Sequence, residues 1–289
     1  RWKPDLIVTH GDRVEPLACA IVGCLSNTLV AHIEGGEVSG TVDEILRHSI
    51  SKLSHLHFVS NNLAKRRLLQ LGELEKNIFI IGSPDIDILL SIKKKLLYKV
   101  QKHYGLKFNK YSIVLFHPVV TLKNNQNYLY AKKLVDSLLE TKNNYIVIFP
   151  NNDKGSQEIL RAYKRIKNHR RFRIFSSLRF EYFLSLLQNS DFIIGNSSAG
   201  VREAPYYGIP TINVGLRQNK RSLSKSVINS NFEKKKILKI IRHINKNNLK
   251  FKKRREFGGG KAYKKFIKII NEKKFWDTPK QKYFKDLKL

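Results

Sequence analysis

Short apolar runs alternate with amphipathic stretches along most of the chain, and this alternation restricts the fold more than any other feature. The first runs read "PDLIVTHGD", "TLVAHIEGGE", "HFVSN" and "NIFIIGSPDID". A lysine-rich helix from about Asp87 to His103 and a loop near Gly105 to Lys110 read as a linker. The alternation then restarts with "YSIVLFHPV", "NYIVIFPNND", "FRIFSSL", "DFIIGNSS" and "PTINVG". Apolar strands separated by helices form a parallel sheet wrapped by helices, so an α/β chain is expected. The second block holds enough strands for a complete doubly wound domain, whereas the first reads as the back half of one. The expected divisions are residues 1–95, the C-terminal part of a first domain; residues 96–265, a second domain; and residues 266–289, a C-terminal helix and tail.

With 289 residues, 42% of them hydrophobic, the chain can bury a real core. It carries 55 Lys and Arg against 23 Asp and Glu, a net charge of +32. Such a charge suits a nucleic acid or an anionic surface, but its distribution argues otherwise. The runs "KKKILKIIRHINK" and "KFKKRREF" are spaced like the solvated faces of amphipathic helices, and the wider enrichment in Lys, Asn and Ile is what AT-rich coding imposes. Phe251, Phe257, Tyr263 and Phe266 sit among lysines without forming a recognised nucleic-acid motif. No nucleic-acid partner is therefore expected, and a basic nucleic-acid-binding protein stands as the alternative from a different class.

Cys19 and Cys24 suit neither a disulfide framework nor a zinc site, and no His, Cys and Asp spacing suggests a metal. No apolar run approaches the roughly 18–20 residues of a membrane span, so a soluble, cytoplasmic protein without membrane attachment is expected. The chain opens at Arg1, contains no Met, and enters directly on what reads as an internal strand. An amino-terminal part is expected to be missing, leaving the first domain incomplete.

Polar residues cluster where the apolar runs end, which is where ligands bind in open parallel sheets. His10, Gly11, Asp12 and Arg13 follow the first run, and His32 and Glu34 the second. His117, Asn151 and Asp153, the "NSS" of Asn196–Ser198, and Gly215 with Arg217 follow runs in the second block. "GNSSAG" ahead of "VREAP" is a Gly/Ser turn opening a helix; it reads either as an ordinary N-cap or as a phosphate-binding turn. Asp43, Glu44 and Arg47 read as a helix start with dipole-favoured acids and an i, i+3 ion pair. That reading does not cover Glu34 and Glu37, which lie in the preceding loop.

The blocks "HGDR", "HIEGGEVSGTVDEILRHSISKLSHLHF", "GSPDID", "LFHPV", "FPNND", "GNSSAGVREAPYYGIPTINVGLRQ" and "FGGGKAY" occur in this order over essentially the whole chain. Together they resemble the hydrolysing branch of the UDP-N-acetylglucosamine 2-epimerase family, which makes aminosugar precursors of sialic and legionaminic acids. "HIEGGE" stands where non-hydrolysing relatives typically have "HVEAGLR", and the branch assignment rests on that block. The resemblance implies a GT-B-like fold of two Rossmann-like domains with a UDP-sugar in the cleft between them, no cofactor, and a homo-oligomer. It further implies proton removal at C2 of UDP-N-acetylglucosamine with loss of UDP, followed by addition of water to give N-acetylmannosamine.

Such a reaction needs a carboxylate base at a weakly acidic C–H and a means of stabilising the departing pyrophosphate. On the resemblance, Asp12, Glu34 and Glu44 share the acid/base roles, with the base itself unassigned. Arg13, His117, Ser197, Ser198, Glu203 and Arg217 match the nucleotide-binding set, with Glu203, which has no positive charge to offer phosphate, on the ribose hydroxyls. Asn151 matches a uridine-side position, and Arg47 and His48 lie in the family block with either a site or a structural role. The family's amino-terminal "GTRADYG"-like strand and loop is absent, which implies exposed strand edges and a truncated UDP-binding relative of impaired activity as an alternative. A UDP-linked diacetamido-trideoxyhexose is the alternative substrate.

Overall fold

A computed structural model describes residues 3–40, 42–92, 96–122 and 125–286. They form two compact units, one of Arg1–Leu90 with Glu256–Leu289 and one of Ser91–Arg255.

The first unit is built on four parallel strands in the order of the chain: β1 (Leu6–His10), β2 (Leu29–Ile33), β3 (Leu56–Val59) and β4 (Ile78–Ile80). Between them run α1 (Val14–Leu25), α2 (Val42–Leu53) and α3 (Asn62–Gln70), with α4 (Pro84–Ser91) following β4. The interior strands are buried along nearly their whole length, as β3 is at all four positions. That is why they read as continuous apolar runs rather than as alternating ones.

The second unit opens with α5 (Leu96–His103). A single lysine-rich helix over Asp87 to His103 is thus replaced by two, α4 and α5, with residues 93–95 outside the described set. Its sheet holds β5 (Ser112–Leu115), β6 (Tyr145–Ile148), β7 (Phe172–Phe175), β8 (Ile193–Gly195), β9 (Thr211–Val214) and β10 (Val227–Ser230). The helices are α6 (Gln126–Leu139), α7 (Ser156–Tyr163), α8 (Phe180–Gln188), the short α9 (Ser198–Val201) and α10 (Ala204–Tyr207), and α11 (Lys234–Asn247). All pairings are parallel and the spatial order is β10-β9-β8-β5-β6-β7. Winding therefore leaves β5 in one direction through β6 and β7, and resumes on its other side at β8. The β5/β8 pair is the topological switch point of a doubly wound sheet.

Helix α11 shows where the lysines go. Ile237, Leu238, Ile241 and Ile244 are buried on one face, while Lys235, Lys236, Lys239, Arg242 and Lys246 are exposed. The run is an amphipathic helix with a solvated basic face.

After Arg255 the chain returns to the first unit, so residues 256–265 cluster there and not with the second domain to which the sequence assigned them. The Ser83 N–H donates to the Phe257 carbonyl at 2.8 Å. The Asp87 carboxylate accepts from the N–H groups of Ala262 (2.9 Å) and Tyr263 (3.0 Å), satisfying the first turn of α12 (Ala262–Ile270). Phe266 on this helix packs on Phe58 of β3, with ring centroids 4.7 Å apart. Phe275 of α13 (Lys273–Trp276) closes the same core.

Candidate active site

In the first unit, polar groups gather beyond the carboxyl ends of β1, β2 and α4's preceding loop. The Glu34 backbone has φ of 69°, a left-handed conformation that costs a non-glycine residue on the order of 1–2 kcal/mol. Its side chain is 8% exposed. One carboxylate oxygen accepts from the Ser83 hydroxyl at 2.5 Å and the other lies 3.4 Å from His10 Nε2. A strained backbone thus holds a buried acid at a strand end.

Asp12 follows the Gly11 turn and is ion-paired with Nη2 of Arg47 from α2. Arg47 is 1% exposed, and its Nη1 donates to the Glu37 carbonyl at 3.0 Å and reaches Ser39 Oγ at 3.5 Å. The i, i+3 pairing of Arg47 with Glu44 is therefore corrected: the guanidinium reaches back 35 residues to Asp12. Glu44 instead accepts from the Ser39 N–H at 2.7 Å and lies 3.8 Å from His48 Nε2. Burial lowers the His48 pKa from its usual value, against the pull of Glu44.

The loop carrying these groups is pinned along its length. Gly36 has φ of 76°, and a Cβ there would lie 2.2 Å from the Ala64 carbonyl oxygen, so only glycine lets the loop lie against α3. Arg67 donates to the Gly36 carbonyl at 3.2 Å, and the Ser60 hydroxyl to the buried Glu37 carboxylate at 3.0 Å. His32, fully buried in β2, donates from Nε2 to the Gly11 carbonyl at 2.9 Å and accepts at Nδ1 from Ser51 Oγ at 3.0 Å. Burial pushes its pKa down to about 3, so it is a neutral clamp on the turn that presents Asp12. The Arg13 side chain is 61% exposed at the start of α1, with Nε 3.7 Å from the Glu15 carboxylate.

In the second unit the site residues surround the switch point. The His117 N–H donates to Asn196 Oδ1 at 2.7 Å and Asn196 Nδ2 donates to the His117 carbonyl at 2.8 Å, which locks the ends of β5 and β8 together. The close approach requires Gly195, since a Cβ there would lie 2.0 Å from the Leu115 carbonyl oxygen. Nδ1 of His117 accepts from the Asn151 N–H at 3.1 Å, so Nε2 carries the proton. Burial, and then the charge of Arg217, lower the His117 pKa to about 4, so that proton is presented by a neutral ring.

Ser197 caps α9, its hydroxyl accepting from the Ala199 N–H at 3.3 Å, and Ser198 is the first helical residue. Arg217 Nη1 and Gln218 Nε2 each donate to the Asn196 carbonyl at 3.2 Å. Asn151 bonds Asp153 through Nδ2, while its buried Oδ1 has no partner among the described residues. Glu203 is buried ahead of α10, close enough to Tyr207 to help raise the phenol pKa, for which burial is the larger cause. His117, Asn151, Ser197, Ser198 and Arg217 are thus held around one switch point. Asn196, already one of the strand-end polar residues, and Gln218, which carried no sequence signal, are their supports.

Comparison with known proteins decides the family. The description "UDP-N-acetylglucosamine 2-epimerase" matches residues 1–271. The chain belongs to that family. A relative named UDP-N-acetylglucosamine 2-epimerase, from Neisseria meningitidis serogroup B, is 46% identical over 99% of this chain and 76% of its own length. A second, from Legionella pneumophila, is named UDP-N,N'-diacetylbacillosamine 2-epimerase (hydrolyzing); it is 35% identical over 92% of this chain and 71% of its own length. Among solved structures, the Methanocaldococcus jannaschii UDP-GlcNAc 2-epimerase in complex with UDP-GlcNAc and UDP superposes with a TM-score of 0.79. It is 24% identical, covering 92% of this chain and 75% of that one. The two parallel sheets share the GT-B-like fold of these epimerases. Among the described residues, no helix is long and apolar enough to cross a membrane, and no group of three His, Cys, Asp or Glu is placed to hold a metal.

Proposed function

We propose that the chain is a hydrolysing UDP-N-acetylglucosamine 2-epimerase, converting UDP-N-acetylglucosamine and water to N-acetylmannosamine and UDP for nonulosonic acid biosynthesis in the cytoplasm. The observation that carries this reading is Glu34: a buried carboxylate in a strained backbone, within the "HIEGGE" block, braced by Ser83 and facing His10. The hydrolysing reaction named for the Legionella relative supports the branch.

The chemistry proceeds in two steps. A carboxylate takes the C2 proton, the C–H electrons form a C1–C2 double bond, and the C1–O bond breaks so that UDP leaves with its electrons. Water then adds its oxygen to C1 while a proton returns to C2 on the opposite face, which inverts that centre. Asp12, Glu34 and Glu44 share the proton transfers, with Asp12 held by Arg47 and Glu44 by the Ser39 N–H. The departing pyrophosphate takes hydrogen bonds from the His117 Nε2–H, Ser197 and Ser198 and charge from Arg217; Arg13 is a further cation for it. Glu203 accepts from the ribose hydroxyls, and Asn151 lies on the uridine side. A neutral imidazole and an arginine at fixed positions stabilise developing phosphate charge without reorganising. No cofactor takes part, and the working form is a homo-oligomer.

The Legionella relative favours one second reading, the same two steps on UDP-2,4-diacetamido-trideoxyhexose. Turnover of the two UDP-sugars in D2O tests both. The preferred sugar yields free UDP and a product deuterated at C2; release of UDP without C2 deuteration contradicts the elimination.

A further inference from the structure

A cavity lies in the Ser91–Arg255 unit along the outer edge of its sheet, where β7 is the terminal strand. Its volume is about 490 Å³, within the range of small-molecule sites. The floor is apolar and largely aromatic: Phe149 from the end of β6, Leu160 and Tyr163 from α7, and Phe172 and Ile174 from β7. The rim is cationic. Lys164, Lys167 and Arg173 line the mouth, and no carboxylate does.

The rim charge is not spent on ion pairs within the fold. Between Arg161 and Arg173 the sequence places seven Lys or Arg and no Asp or Glu. Of these, Arg165 is committed to Asp136, Arg161 stacks on Tyr128, and Arg171 donates to the Leu139 carbonyl. The ammonium groups of Lys164 and Lys167 are exposed and have no partner among the described residues. Arg173 donates to the Phe172 carbonyl at 3.2 Å, with its guanidinium 5.7 Å from the Phe108 ring.

An apolar floor partly uncovered at Phe149, Leu160 and Ile174, with two unpaired ammonium groups and a guanidinium on one rim, has one complement. We propose that this cavity binds a small organic anion with a planar apolar body and a phosphate or carboxylate head. The body lies on Phe149, Leu160 and Ile174 while Lys164, Lys167 and Arg173 take the charge. The lysine stems reach over the apolar floor and keep their heads in water, so the charge meets its partner at the mouth, where little desolvation is required. None of these residues belongs to the strand-end site, so the inference stands independently of the proposed reaction.

Backbone amide NMR of the full chain, titrated separately with 1-naphthyl phosphate, 1-naphthylmethanol and inorganic phosphate, tests the assignment. Saturable shifts confined to the surroundings of Phe149, Leu160 and Ile174 are expected with 1-naphthyl phosphate. Affinities at least tenfold weaker are expected for the neutral alcohol and for phosphate alone. A Lys164→Glu, Lys167→Glu double variant should lose tenfold or more in affinity, and the milder Lys164→Gln, Lys167→Gln pair should lose less, both with unchanged thermal unfolding. Shifts scattered over the surface, equal binding of inorganic phosphate, or full affinity in both variants would each overturn the proposal.

Discussion

Arg47, at 1% exposure, is ion-paired with Asp12 across 35 residues of sequence and hydrogen-bonded to the Glu37 carbonyl. One guanidinium therefore ties the turn after β1 to the loop after β2. Removing one member of a buried pair costs about 3 kcal/mol. Arg47→Met should lower stability by that amount, read from urea unfolding, and Arg47→Lys by less. An Arg47→Met variant as stable as the parent would show that the pair contributes nothing to the fold.

Glu34→Gln preserves shape and can still accept from Ser83 at one oxygen. Turnover of UDP-N-acetylglucosamine should disappear while affinity for UDP stays within a few-fold, measured by calorimetry. Equal loss of both would move Glu34 from chemistry to binding.

His117 should contribute to sugar-nucleotide affinity as a neutral donor. Its pKa is near 4, depressed first by burial and then by Arg217. His117→Ala is expected to weaken UDP-N-acetylglucosamine binding roughly tenfold, measured in the Glu34→Gln background to stop turnover. The gap between the two affinities should be constant from pH 5.5 to 8. A gap that widens as pH falls toward 6 would mean that the imidazolium form binds.

Acid should destabilise the protein through its buried histidines. His32 and His117 have folded pKa values of about 3 and about 4, below the unfolded 6.5. Between those limits the unfolded chain binds more protons, so their contribution is fully present above pH 6.5 and is lost as pH falls toward 4. The slope is about 1.4 kcal/mol per pH unit for each such histidine. His32→Gln should flatten the pH dependence of the urea midpoint in this window; an unchanged slope would contradict a neutral clamp.

The sequence showed most of the fold because most strands are covered on both faces. β3, β6 and β9 are buried at every position and stand out as apolar runs. β10, "VINS", is a half-buried edge strand too short and polar to register, and it escaped notice. The return of the last segment to the first unit was also not legible, because it depends on contacts such as Asp87 with the first turn of α12. At the site, strand-end residues were visible as polar groups that end apolar runs. Their supports were not, since Ser83 and Gln218 are residue types common on any surface. His32 left the one usable signal, a histidine inside the buried run "LVAHI".

The most direct test of the central claim is NMR of this chain with UDP-N-acetylglucosamine, following phosphorus signals of free UDP and proton signals of the sugar. Joint appearance of UDP and N-acetylmannosamine is the predicted result. Formation of UDP-N-acetylmannosamine without free UDP, or no turnover at all, would contradict it.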